Sequence, residues 1–149
     1  MLSQTRKRNL SILVHLLGWI MLCVVLLILS PLSWRMGELE LPTQFWWKQI
    51  FLVGLLIGVF YLNAWLIVPR FLLRGKNYLY LLVIILGAGI FYGVIVYFEQ
   101  FIQYGEKMHE LFNPDKPYTG KRWVPGDVFQ MLLYVISIGL STSVALVEK

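Results

Sequence analysis

Residues 50–68 read IFLVGLLIGVFYLNAWLIV, an apolar run without a single Lys, Arg, Asp or Glu. A helix needs about 20 such residues to cross a hydrocarbon core ~30 Å thick. Lipid offers the backbone no hydrogen bonds, so a segment that crosses it must be a helix or part of a closed barrel. A barrel strand alternates apolar and polar residues, whereas this run is apolar throughout. Similar uncharged runs occupy about 10–33, 78–98 and 128–147. Hydrophobic residues make up 58% of the 149 positions, more than a small soluble domain can hide from water. The expected fold is all-α: one membrane domain over 1–149, with four transmembrane helices in an antiparallel bundle.

Composition narrows the function. Cys23 is the sole cysteine, which excludes internal disulfides and cysteine-rich metal centres. Arg6-Lys7-Arg8 before the first run has the look of a secretory signal. That run, however, exceeds the usual 7–15 residues and no Ala-x-Ala-like site follows it, so a retained signal anchor is expected. The net charge of +5 comes from basic residues beside the runs, a placement suited to anionic lipid headgroups rather than nucleic acid.

Basic residues also orient the bundle. Arg6, Lys7 and Arg8 precede the first run, and Arg70, Arg74 and Lys76 crowd a short loop at 69–77, whereas the first loop holds Arg35 and Lys48. The positive-inside bias places both termini and the 69–77 loop in the cytoplasm. All acidic residues except Glu148 then fall on the outer side, and Trp34, Trp46 and Trp47 mark the outer boundary. The predicted site is a membrane, crossed several times with the basic segments on its cytoplasmic face.

Local signals set the element ends. Pro42-Thr43 reads as a helix start with Thr43 offering a capping hydroxyl, and Pro69 as the end of the second span. Beyond Phe98, residues Phe101, Ile102, Met108 and Phe112 recur at helical spacing, so the third helix should continue outside the membrane. A bend is expected near Gly105 and a stop at Asn113-Pro114. The outer loop at 99–127 ends in turn formers, and Asp127 is placed to cap the last span.

Small residues recur four apart at Gly54 and Gly58, Gly89 and Gly93, and Ser137 and Ser141. Such spacing permits close helix packing in lipid, expected here mainly within the chain. His15 and Asn63 are the strongly polar side chains well inside the runs and are candidates for ligand or proton pathways. Their plainer reading makes Asn63 a bond to a neighbouring helix and puts His15 within reach of the inner interface. Glu99 and Asp127 are expected to face water. No convergent acid, base, nucleophile or metal-ligand set is present: His15 and His109 belong to opposite sides, and Ser141, Thr142 and Ser143 lack a nearby base. No acidic residue lies at a midplane to couple a carrier.

One stretch has a specific likeness. Tyr61-Leu62-Asn63, then Ile67-Val68-Pro69-Arg70-Phe71-Leu72-Leu73-Arg74-Gly75-Lys76 and Tyr78-Leu79-Tyr80, resembles the inner loop in the membrane input domain of LytS-like bacterial sensor histidine kinases. His15-Leu16-Leu17-Gly18-Trp19 and the ending from Ser137-Ile138-Gly139-Leu140 to Glu148-Lys149 resemble the same family. The resemblance implies a sensory, dimerising domain of a two-component system. Its cytoplasmic kinase region would use ATP, phosphorylate a histidine and serve a response regulator. The sequence departs from the family by holding no phosphoacceptor segment and no ATP-binding domain, so no catalytic, cofactor or metal residue carries over. The last helix, with no capping glycine or proline at Val147-Glu148-Lys149, is expected to continue as a rigid connection. The competing expectations are a free-standing small membrane protein that stabilises a partner complex, and a small carrier.

Overall fold

The computed structural model describes residues 16, 18–20, 22–24, 41–120 and 126–147. They fall in two units, 1–40 and 41–149. In the first, every described residue is helical, and Leu16, Ile20 and Val24 form an exposed stripe. His15 and most of the 10–33 run lie outside the described residues.

The second unit is helical with no strand among its described residues: α1, Thr43–Leu62, runs into a π-helical segment, Asn63–Leu72; then come α2, Asn77–Phe101, α3, Tyr104–Phe112, and α4, Asp127–Val147. Three helices, Thr43–Leu72, Asn77–Phe101 and Asp127–Leu146, are long and apolar enough to cross a membrane. That marks a multi-pass membrane protein.

α1 starts where the proline implies, but without the expected cap. Pro42 holds the N-cap position in an extended conformation and no side chain caps the helix; its carbonyl accepts the Phe45 N–H at 3.0 Å. The buried face then steps by three or four residues through Phe45, Lys48, Leu52, Leu56 and Phe60, the spacing of one helix stripe.

Pro69 does not end this helix. In α geometry its ring would collide with the carbonyl four residues back, and its nitrogen has no proton to donate. The helix instead widens over Asn63–Leu72, with Pro69 inside the π segment. The i to i−5 register persists at the exit, where Leu73 N–H donates to Val68 O at 3.1 Å and Lys76 N–H to Phe71 O at 2.9 Å. Gly75, at φ +71, supplies the left-handed residue that closes the turn. The basic loop expected at 69–77 thus shrinks to the few residues between Leu72 and Asn77, and Arg70 rides on the helix.

The third span outlasts its apolar run as expected, but breaks earlier than Gly105. α2 ends at Phe101, and Gln103 adopts left-handed geometry at φ 55 before α3 begins. α3 stops at Phe112, with Asn113 as its C-cap. It buries Tyr104 and Met108 and packs against α1 and α2. At the start of α4, Gln130 N–H donates to Gly126 O at 2.9 Å. The first accepting carbonyl is therefore that of Gly126, whose φ of +108 suits glycine. Asp127 sits one position later, in the first turn, where its charge complements the helix dipole.

The core of this unit lies between α4 and the Thr43–Leu72 helix. α4 buries Leu133, Tyr134, Ser137, Ser141 and Ala145. Near the π segment, Ala64, Val68 and Ala145 cluster, with Leu72, Leu73 and Tyr80 packed against them. Alanines at this crossing bring the backbones close. At the opposite end Phe51 stacks on Phe98, ring centroids 3.8 Å apart. α2 is the least embedded helix, burying Phe91, Ile95 and Glu99.

Candidate functional site

Two polar layers cross this apolar bundle, one near each end of α4. The first is centred on Asn63, at the junction of α1 and the π segment, fully buried. Its amide nitrogen donates to Ser141 Oγ at 2.7 Å and Thr142 Oγ1 at 3.0 Å, with Ile138 O at 3.3 Å. The Tyr80 hydroxyl, from the first turn of α2, lies 2.7 Å from Thr142 Oγ1. Ser141 and Thr142 also donate to Ile138 O at 3.0 and 2.7 Å. Thr142 thus accepts from Asn63 and Tyr80 and donates once, which uses its hydrogen-bonding capacity in full. One amide thereby ties the Thr43–Leu72 helix to α4, and Tyr80 adds α2. The Asn63 Oδ1 is buried with no hydrogen-bond partner.

The second layer holds the charges. Lys48 on α1 and Glu99 on α2 form an ion pair at 2.6 Å, with both side chains 7% exposed or less. Lys48 Nζ also lies 4.2 Å from the centroid of the Tyr104 ring, a cation–π contact strengthened by exclusion of water. α3 folds back so that Tyr104 closes this pair off. Burial pushes the Tyr104 hydroxyl well above the ordinary phenol range, and the Glu99 charge adds to the shift. Asp127 lies on the same end of the bundle and accepts a hydrogen bond from the Tyr92 hydroxyl at 3.1 Å. Glu99 and Asp127 are therefore buried, not water-facing. Each terminates an apolar run and meets a polar group on another helix.

Beside the clamp lies a cavity of about 210 Å³ bordered by Glu99, Gln100, Gln103, Glu106 and Tyr118. The Tyr118 wall is held by His109, whose Nε2 is 3.0 Å from Lys116 O and whose ring is 5.5 Å from that of Tyr118. On the exposed side of α3, Lys107 pairs with Glu110 at 2.9 Å, and this hydrogen bond raises the lysine pKa.

The small-residue pairs divide. Ser137 and Ser141 are buried, with Ser137 Oγ 3.4 Å from Leu56 O, so α4 packs through them. Gly54, Gly58, Gly89 and Gly93 are exposed, and a Cβ at any of them would meet no atom within 4 Å. Packing inside this unit is therefore not made by the glycine pairs. The glycine that packing does require is Gly87, where a Cβ would come within 2.7 Å of the Tyr134 hydroxyl. That hydroxyl donates to Ile84 O at 2.9 Å.

Asn63 thus meets its bland expectation of bonding a neighbouring helix. Ser141 and Thr142 are its partners. Among the described residues no group of three or more His, Cys, Asp or Glu could hold a metal. The Lys48–Glu99 pair escapes a reading of the runs singly, because each charge closes a different one. The available signal was positional: both fall on the same predicted side of the membrane, in spans adjacent along the chain. Comparison with family models, curated proteins and solved structures gave no match.

Proposed function

We propose that this chain is the sensory and dimerising membrane domain of a LytS-like sensor histidine kinase, set in a bacterial inner membrane. In this reading 10–33 supplies a fourth crossing, both termini are cytoplasmic, and α4 leads into an ATP-dependent kinase region that serves a response regulator. The observation that carries it is the pair of polar layers on one continuous helix. Thr43–Leu72 holds Lys48 in one layer and Asn63 in the other. A stimulus that favours one arrangement of the Lys48–Glu99–Tyr104 clamp would shift this helix. Asn63 would pass the shift to α4 at Ser141 and Thr142. Such coupling requires that the stimulus bind two arrangements with different affinity. The outward-facing glycine pairs on α1 and α2 leave room for helices of a second copy.

The test is made in the intact parent protein. Glu99→Gln, which breaks the clamp, should change autophosphorylation or its response to stimulus, while the protein still inserts and accumulates. A parent reading frame without a kinase region, or wild-type output from Glu99→Gln and from replacement of the 113–120 segment alike, would contradict the proposal.

A further inference from the structure

The cavity beside the clamp has chemistry of its own. Its volume of about 210 Å³ far exceeds the ~10–15 Å³ that a single water requires. Its wall carries two carboxylates, two carboxamides and a phenol ring, and no basic side chain. Glu99 is already matched by Lys48. Glu106 forms no ion pair among the described residues. It stands in the first turn of α3, where the helix end carries partial positive charge, and it acts on Lys107 only through space, so its carboxylate has no direct cationic contact there. Gln103, in left-handed geometry at φ 55, also lines the wall, and such backbone strain gathers at ligand sites. Tyr118 lines the same cavity, its ring 5.5 Å from that of His109.

A cavity lined by carboxylates and an aromatic ring suits a cation with an apolar body. A metal ion is a poor match, since no three candidate ligands converge among the described residues. We infer that this cavity binds a small organic ammonium, its charge at Glu106 and its apolar part against Tyr118. Once bound, the ammonium faces Glu99 as well and competes with Lys48 for it, which loosens the clamp. The site stands on the cavity's own geometry; its signalling consequence rests on the sensory reading above.

Isothermal titration of the full chain in detergent with phenethylamine, and with neutral 2-phenylethanol as the matched control, tests the site. Saturable binding of the amine is expected, weakened about tenfold or more by Glu106→Gln and by Tyr118→Ala, with no saturable binding of the alcohol. Absence of saturable amine binding, equal binding of both compounds, or unchanged affinity in Glu106→Gln overturns the inference. If the amine binds as expected but leaves parent kinase output unchanged, the site survives and the sensory reading fails. If no amine binds while Glu99→Gln still alters output, the reverse holds.

Discussion

A charge held in a low-dielectric interior keeps its place by virtue of its partner, and Lys48 and Glu99 stand or fall together. Removing one partner of a buried pair typically costs about 3–5 kcal/mol, while replacing both with apolar residues is often neutral or better. Lys48→Met or Glu99→Leu alone should therefore lower detergent-denaturation stability by about that amount. The double variant should recover most of the loss, and additive losses would argue against a coupled pair. Tyr104 makes a pH prediction. Its folded-state pKa is raised by burial above the unfolded value near 10. Above that pH the unfolded chain releases a proton that the folded chain keeps, so stability is intact below about pH 10 and falls as pH rises further. Thermal melts should show that fall, and Tyr104→Phe should flatten it. Asn63 was legible from sequence because an amide inside lipid must find a partner. Glu99 was not, because a carboxylate at the end of an apolar run looks the same whether water or a lysine meets it.

Helices here obey their local signals except where a neighbour supplies a better solution. Pro69 reads as a terminator, yet the segment around it widens into π geometry and continues to Leu72. Its side chains pack on α4 through Ala64 and Val68, and that packing outweighs the poorer backbone register. The extension of the third helix was readable from the spacing of Phe101, Met108 and Phe112. The break at Gln103 was not, since nothing in a glutamine announces a positive φ. Gly87 offers a sharp test of packing. Gly87→Ala should destabilise the chain by about 1 kcal/mol, since losing the Tyr134 hydrogen bond outweighs the gain in helix propensity. In a Tyr134→Phe background, where no hydroxyl obstructs the new methyl, the same change should be neutral or stabilising in denaturant titrations. Equal effects in both backgrounds would mean that the contact carries no energy.

Taken together, the second unit is an apolar bundle closed at one end by an ion pair and at the other by hydroxyls and an amide. Its all-helical class, and helices long and apolar enough to cross a membrane at three of the four expected positions, were legible in the length and continuity of the runs. The fourth expected span, 10–33, lies mostly outside the described residues. Which faces meet was not legible, because runs apolar on every side carry no stripe to point inward. The expected direction across the membrane rests on the crowding of Arg70, Arg74 and Lys76 against Arg35 and Lys48 in the first loop, with Lys107, Lys116, Lys121 and Arg122 spread more thinly over 99–127. The most direct test places single cysteines at these two ends in a Cys23→Ser background and treats intact cells with a membrane-impermeant maleimide. Asp115→Cys should be labelled from outside, and Arg74→Cys should react only after the cells are opened. Labelling of Arg74→Cys in intact cells, or of both sites alike, would contradict the arrangement.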